Sequence, residues 1–284
     1  MYAHNNSELD YFRIACANAL MVKKNLGVPV SVVTNEGTLK YSRNELGSEF
    51  LDQCFDQIIL TDRKWSFDNK RNFSDTSNST KTLQFYNCNH WKAFELSPYD
   101  ETLFIDADYF IMSDALNNCW DSENDFMINH KIIVPGESKE PHSRYVDDFG
   151  ICLYWATVIY FRKTKFSEHV FNLVRHVEDN YNYYRQLYSI SNGMFRNDNA
   201  FSIALHTLNG FSNIDTNQLP ITGLLMSWET DDIYKVNGIN DITLYCEKEI
   251  KGTYILARLK NQDIHIMNKW AAGRASNQLI ELYK

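Results

Sequence analysis

ETLFIDADYFIMS, residues 101–113, sets two carboxylates, Asp106 and Asp108, in the middle of an otherwise apolar run. Residues 103–112 have the composition of a buried strand. Desolvating two neighbouring acids there costs several kcal/mol unless positive charge lies between them. A divalent cation is the usual reason. The bland alternative, a strand end with both acids in solvent, fits poorly because the residues after Asp108 are apolar again. Hard oxygen donors suit Mg²⁺ or Mn²⁺, and such ions are commonly held by one or two carboxylates plus the phosphates of a bound nucleotide.

The 284 residues, 44% of them hydrophobic, can bury a sizeable core, and no linker divides them, so one domain is expected over 1–284. No apolar run reaches the roughly 18 residues of a membrane-spanning helix, and the N-terminus lacks a signal-peptide pattern, so a soluble, cytoplasmic protein is expected. Its six cysteines show no CxxC pair and read as reduced, mostly buried thiols. A net charge of −8 argues against general affinity for nucleic acid.

Upstream of the acids, Ser7 with Asp10 predicts an N-cap, followed by a helix whose apolar positions (Leu9, Phe12, Cys16, Ala19, Leu20) recur at three and four residues until Gly27. PVSVVTN (29–35) and DQIILTD (56–62) read as buried strands separated by a helical pattern over 44–55. Strand, helix, strand is the grammar of a parallel sheet covered by helices. Polar residues 65–82 predict a long surface loop, residues 82–96 a helix, and the two acids then lie at the C-terminal end of a central strand, the edge where open α/β sheets bind ligands.

Downstream, residues 125–135 and 154–163 are strand-like, 166–188 reads as one long helix, and 197–208 as another closed by Gly210. Further strands are expected at 219–228, 241–247, 253–258 and 262–267, before a short terminal helix. Tyr183 and Tyr184 are adjacent and cannot share one helix face, so a ring is exposed near Arg185 and Arg196, suited to a sugar ring or a flipped base. Trp228 is a second candidate for an acceptor wall. HIMNKW (265–270) offers an imidazole to a metal and, four residues on, the Lys269 ammonium to a phosphate. An imidazole in the ligand set would favour Mn²⁺ over Mg²⁺.

Taken together, these stretches resemble a nucleotide-sugar-dependent glycosyltransferase of the GT-A fold, in the layout of glycogenin-like and galactosyltransferase-like members. The resemblance spans about the whole chain. SPYDETLFIDADYF also resembles glycosyltransferase-like proteins of tailed phages. It implies an α/β fold with a mixed, mostly parallel central sheet flanked by helices: a Rossmann-like nucleotide-binding half at 1–113 and an acceptor half at 114–284. It implies a nucleoside pocket from Ala3, Asn5, Tyr11, Thr34 and Asn35, with Ala107 against the donor. Metal ligation falls to Asp106, Asp108 and His265, and phosphate neutralisation to Lys269. Lys92 is the basic residue before the Asp-x-Asp motif, and Asp198 the acid that faces sugar or acceptor. The terminal motif is shortened here and lacks its Gly and Pro.

The expected activity is transfer of a sugar from a nucleoside-diphosphate sugar, a UDP-sugar foremost, to an acceptor hydroxyl on a glycan, a protein or a hydroxymethylated pyrimidine of DNA. Asp198, Asp147 or Asp148 could deprotonate or orient that hydroxyl. Asp198 also reads as a helix-start acid answering the macrodipole. A haloacid-dehalogenase-like phosphatase shares an Asp-x-Asp at a strand end, although its first acid lies close to the N-terminus and a Thr or Val follows the second. A nucleotide-binding module without turnover is the third reading.

Overall fold

Asp10, rather than Ser7, opens the first helix, Tyr11–Asn25: its carboxylate accepts from the Arg13 amide at 3.0 Å. Ser7 is excluded because the Asn6 side chain accepts from the Glu8 and Leu9 amides and folds that segment into a turn. Gly27, with φ of +70°, stops the helix as expected. The buried face carries Phe12, Ala15, Cys16 and Ala19, and it shares one core with Ala271, Ala272, Ala275 and Leu279 of the C-terminal helix, Lys269–Tyr283. Small side chains on both partners let the two helices approach closely. The computed structural model describes residues 1–62, 69–137, 140–147, 150–191, 193–212, 217–248, 250 and 252–283.

The fold is mixed α/β, and the expected mostly parallel central sheet is corrected. Strand Ser31–Thr34 does pair in parallel with Gln57–Leu60, and Tyr2 bridges Val33 in parallel on its other side. The strand that delivers the acids, Glu101–Ile105, belongs to a different, antiparallel sheet, in which Val158–Arg162 lies between it and Phe126–Ile128. That reversed strand occupies one side of Glu101–Ile105. On the other side, an apolar cavity of about 310 Å³ lined by Val30, Val33, Ile59, Leu103 and Ile105 separates it from Ser31–Thr34. The acids therefore follow an edge strand, and every sheet among the described residues has two or three strands.

Three further expectations change. The described part of the expected loop is a hairpin, Lys70–Asp75 against Ser79–Gln84, held because Phe73 and Leu83 alternate inward onto Leu9 and Tyr11; residues 65–68 of that loop lie outside the described set. The expected 82–96 helix is strand at its start and becomes helical only at His90–Lys92 and Ala93–Leu96, after Asn89 turns the chain at φ of +60°. The long helix divides at Asn180 into Lys165–Asp179 and Tyr181–Leu187, because the Asn180 side chain takes up the His176 carbonyl. In the tail, Asp232–Gly238 joins Asp241–Glu247 and Tyr254–Lys260 as a meander whose first strand the pattern did not announce. No helix among the described residues is long and apolar enough to cross a membrane.

What positions the acids is a clamp. After Ile105 the chain turns tightly, with the Tyr109 amide on the Asp106 carbonyl at 3.1 Å, and Tyr109–Phe110 then pairs antiparallel with Ile264–His265. From the first helix, Asn18, fully buried, donates to the Tyr109 carbonyl at 2.6 Å and accepts from the Ile111 amide at 3.1 Å. Replacing it by Leu strands both backbone groups in the core, a loss of about 2–4 kcal/mol. Thermal denaturation of Asn18→Leu should show a melting temperature lower by roughly 5–10 °C.

Candidate metal centre and cleft

Asp106 ends its strand and Asp108 lies one turn residue beyond Ala107, so both carboxylates reach the same space. The tail strand supplies the third group. His265 Nε2 is 3.2 Å from Asp108 Oδ1 and 4.0 Å from Asp106 Oδ2, and one donor atom from each residue falls within 4.8 Å of the others. For metal–ligand bonds of about 2.1 Å, adjacent ligands stand about 3 Å apart and opposite ones about 4 Å, so this donor set fits an octahedral Mg²⁺ or Mn²⁺. Thr157 Oγ1 at 3.3 Å from His265 Nδ1 fixes the ring so that Nε2 faces the acids.

Lys269, the first residue of the C-terminal helix, places its ammonium 2.5 Å from Asp108 Oδ2 and 3.1 Å from the Ile266 carbonyl. Burial works against ionisation of both acids. For Asp106 burial prevails and, with the charge of Asp108, pushes its pKa well above the usual carboxylate range. For Asp108 the same burial is overcome by Lys269 and His265, which hold it far below that range. Burial and Lys269 lower the His265 pKa against the pull of Asp108, which favours the neutral imidazole that a metal requires.

The acids open into a cleft with a cavity of about 100 Å³, lined also by Tyr11, Arg71, His90, Trp155, Asp198 and Glu229. Ala107 lines it too. Asp198 stands at its wall with both oxygens engaged, one by the Ala156 amide at 2.9 Å and one by Arg196 at 3.0 Å. Burial opposes, but Arg196 and that amide prevail and keep its pKa below the ordinary value, so it is a fixed negative charge.

The expected nucleoside residues are divided among three places. Tyr11 lines the cleft, while Asn5 and Asn35 line a separate hollow of about 440 Å³ with Asp10, Thr38 and Tyr86. Ala3 and Thr34 are sealed, with no exposed surface, and the Thr34 hydroxyl is spent on the Ala3 carbonyl at 2.6 Å. Lys92 is outside the cleft: two residues along a tight turn from His90, it faces away, 5.4 Å from the Trp91 ring centre, in a small hollow with His4, Thr61 and Asp62. His90 takes the position by the acids instead, its Nε2 3.7 Å from Asp106.

Asp147 accepts from the Ser191 amide and hydroxyl and does not line the cleft; Asp148 lies outside the described residues. Tyr183 is exposed while the adjacent Tyr184 is half-buried against the core, so the two rings do diverge, but among the described residues of that stretch only Arg196 reaches the cleft. Trp228 does not line the cleft; it is covered by the Arg144 guanidinium at 4.5 Å and hydrogen-bonded to Glu137. Sequence reasoning missed Arg71, His90, Trp155 and Glu229. The alternation of Arg71 and Phe73 was the one local signal for the hairpin that carries Arg71.

The chain matches no protein-family model and no curated protein.

Near Lys92, burial pushes the Glu178 carboxyl up to about 7, aided by Asp179 and opposed by Lys92 and Trp91, and its Oε2 has no hydrogen-bond partner. Below pH 4.5 the folded and unfolded chains both carry the proton. As pH rises toward 7 the unfolded chain ionises first, so stability falls across this window by about 3 kcal/mol and then levels. Glu178→Gln, a neutral mimic, should melt higher than the parent at pH 8 and equal to it at pH 4.5 in matched thermal scans.

Proposed function

We propose that the chain is a metal-dependent glycosyltransferase that takes a nucleoside-diphosphate sugar, a UDP-sugar foremost, and transfers the sugar to an acceptor hydroxyl. The observation that carries this reading is the meeting of Asp106, Asp108 and His265 beside the Lys269 ammonium at the mouth of one cleft. Asp106, Asp108 and His265 would hold Mn²⁺ or Mg²⁺, which supplies positive charge to a departing diphosphate. In the reaction the anomeric carbon bonds to the acceptor oxygen, the bond to the diphosphate oxygen breaks, and the acceptor proton is released.

This chain's own contribution is electrostatic and positional. Lys269, freed from Asp108 when a cation takes that carboxylate, adds a second positive charge for the diphosphate. Asp198, held ionised by Arg196 and the Ala156 amide, would fix a sugar hydroxyl in place; its depressed pKa suits it to orienting more than to proton abstraction. The hollow lined by Asn5 and Asn35 would accept the nucleoside, with Tyr11 between it and the acids. The parallel pairing of Ser31–Thr34 with Gln57–Leu60 is in keeping with a GT-A nucleotide-binding half over 1–113, and residues 114–284 would then carry the acceptor side. A glycan, a protein or a modified pyrimidine would each present a suitable hydroxyl, the last disfavoured by the net charge of −8.

Differential scanning fluorimetry with Mn²⁺ and UDP, followed by donor-hydrolysis assays over a panel of UDP- and other nucleoside-diphosphate sugars, tests the reading. Stabilisation by UDP should require Mn²⁺. Asp108→Asn should abolish that dependence and slow hydrolysis or transfer by about 100-fold or more, as expected when several kcal/mol of charge stabilisation is lost. No Mn²⁺-dependent response to any nucleotide sugar, or full activity in Asp108→Asn, would sink it.

A further inference from the structure

Arg71 is spent on no acid. It stands on the hairpin strand Lys70–Asp75 with its guanidinium 3.8 Å above the Phe85 ring centre, and its Nη2 donates to the Phe195 carbonyl at 3.1 Å. Its Nε is sealed from water with no hydrogen-bond partner, and Asp198, the acid acting on it, does so only through space and is bonded to Arg196 instead. Across the same cleft, Arg196 gives one Nη to Asp198, and its Nε is likewise sealed and unpartnered.

Two guanidinium groups directed at one small cleft repel each other, and a buried cation without a counter-charge costs several kcal/mol. Burial and the neighbouring Arg196 both press the Arg71 pKa below its usual value, against Cys88, Asp198 and Tyr11. A purely structural arginine would have its donors satisfied by carbonyls or acids. Here both guanidinium groups line the cleft, and each is a planar fork, the geometry that matches two oxygens of a phosphate or carboxylate. Stacking on Phe85 fixes the plane of one fork in advance, so little freedom is lost on binding.

We infer that Arg71 and Arg196 form an oxyanion subsite in this cleft that works without the metal, taking the oxygens of a phosphate or a carboxylate. The subsite shares its cleft with Asp106, Asp108 and His265 but uses none of them to hold the anion, and rests on the glycosyltransferase reading only in naming the sources: a donor diphosphate, or a carboxylate on the sugar or acceptor.

Isothermal titration of the full chain in EDTA with inorganic pyrophosphate, and separately with glucuronate, tests it. The parent should bind at least one probe, and which one binds identifies the source. Arg71→Gln should weaken that binding by about 10-fold or more, and Arg71→Lys, which keeps charge and stem but loses the fork, by less. Arg71→Lys carries the test if Arg71→Gln does not fold. Absence of binding to both probes in EDTA, or equal binding by the parent and Arg71→Lys and Arg71→Gln, overturns the inference. Metal-free binding that depends on Arg71, in a protein with no Mn²⁺-dependent sugar chemistry, would remove the proposed function and leave this subsite standing.

Discussion

The antiparallel pairing of Tyr109–Phe110 with Ile264–His265 is the contact on which the rest depends. Two carboxylates two residues apart, Asp108 buried and Asp106 half-buried, cannot be neutralised by their own strand, whose other side chains are apolar. The tail must therefore return to them. Once His265 pairs with Tyr109, the Ile266 amide reaches the Asp108 carbonyl at 2.9 Å, and the helix that begins at Lys269 starts within reach of the Asp108 carboxylate. The direction of that helix then lays its alanine face against the first helix, whose Asn18 closes the clamp from the opposite side.

Charge is distributed in the cleft so that each acid has a different fate. Asp108 is ionised by Lys269 and His265, Asp106 is pressed toward its neutral form by burial and by Asp108, and Asp198 is ionised by Arg196. A divalent cation would remove the conflict between Asp106 and Asp108, since both could then ionise around it. Arg71 is the one cation in the cleft without an acid of its own among the described residues, which is why an external anion completes the balance. The neutralising groups come from the hairpin, the second half of the chain and the extreme tail, so the site exists only in the folded state.

Much of the organisation was legible locally. Period and the glycine stops located the first helix and helix Asn197–Leu208, and short apolar runs located strands Ser31–Thr34 and Gln57–Leu60, because these are short-range patterns set by burial of one face. The hairpin was hidden by its polar composition: its two apolar side chains, Phe73 and Leu83, turn inward, and their partners Leu9 and Tyr11 are far away in sequence. Of the residues expected around a nucleoside, packing decided which line a hollow: Asn5 and Asn35 do, while Ala3 and Thr34 are sealed and bonded to each other.

By itself the sequence determined that Asp106 and Asp108 need a positive partner, because the cost of burying charge is a property of the residues and their immediate neighbours. It also offered His265 and Lys269 as a pair at helical spacing. Only the tertiary structure decided that these four groups meet, that His90 rather than Lys92 stands beside Asp106, and that Arg71 enters the cleft. It also decided that the acids follow an edge strand of an antiparallel sheet and not the centre of a parallel one. Those outcomes turn on strand order and side-chain direction, which are set by contacts between segments far apart in the chain and leave no periodic trace within any one of them.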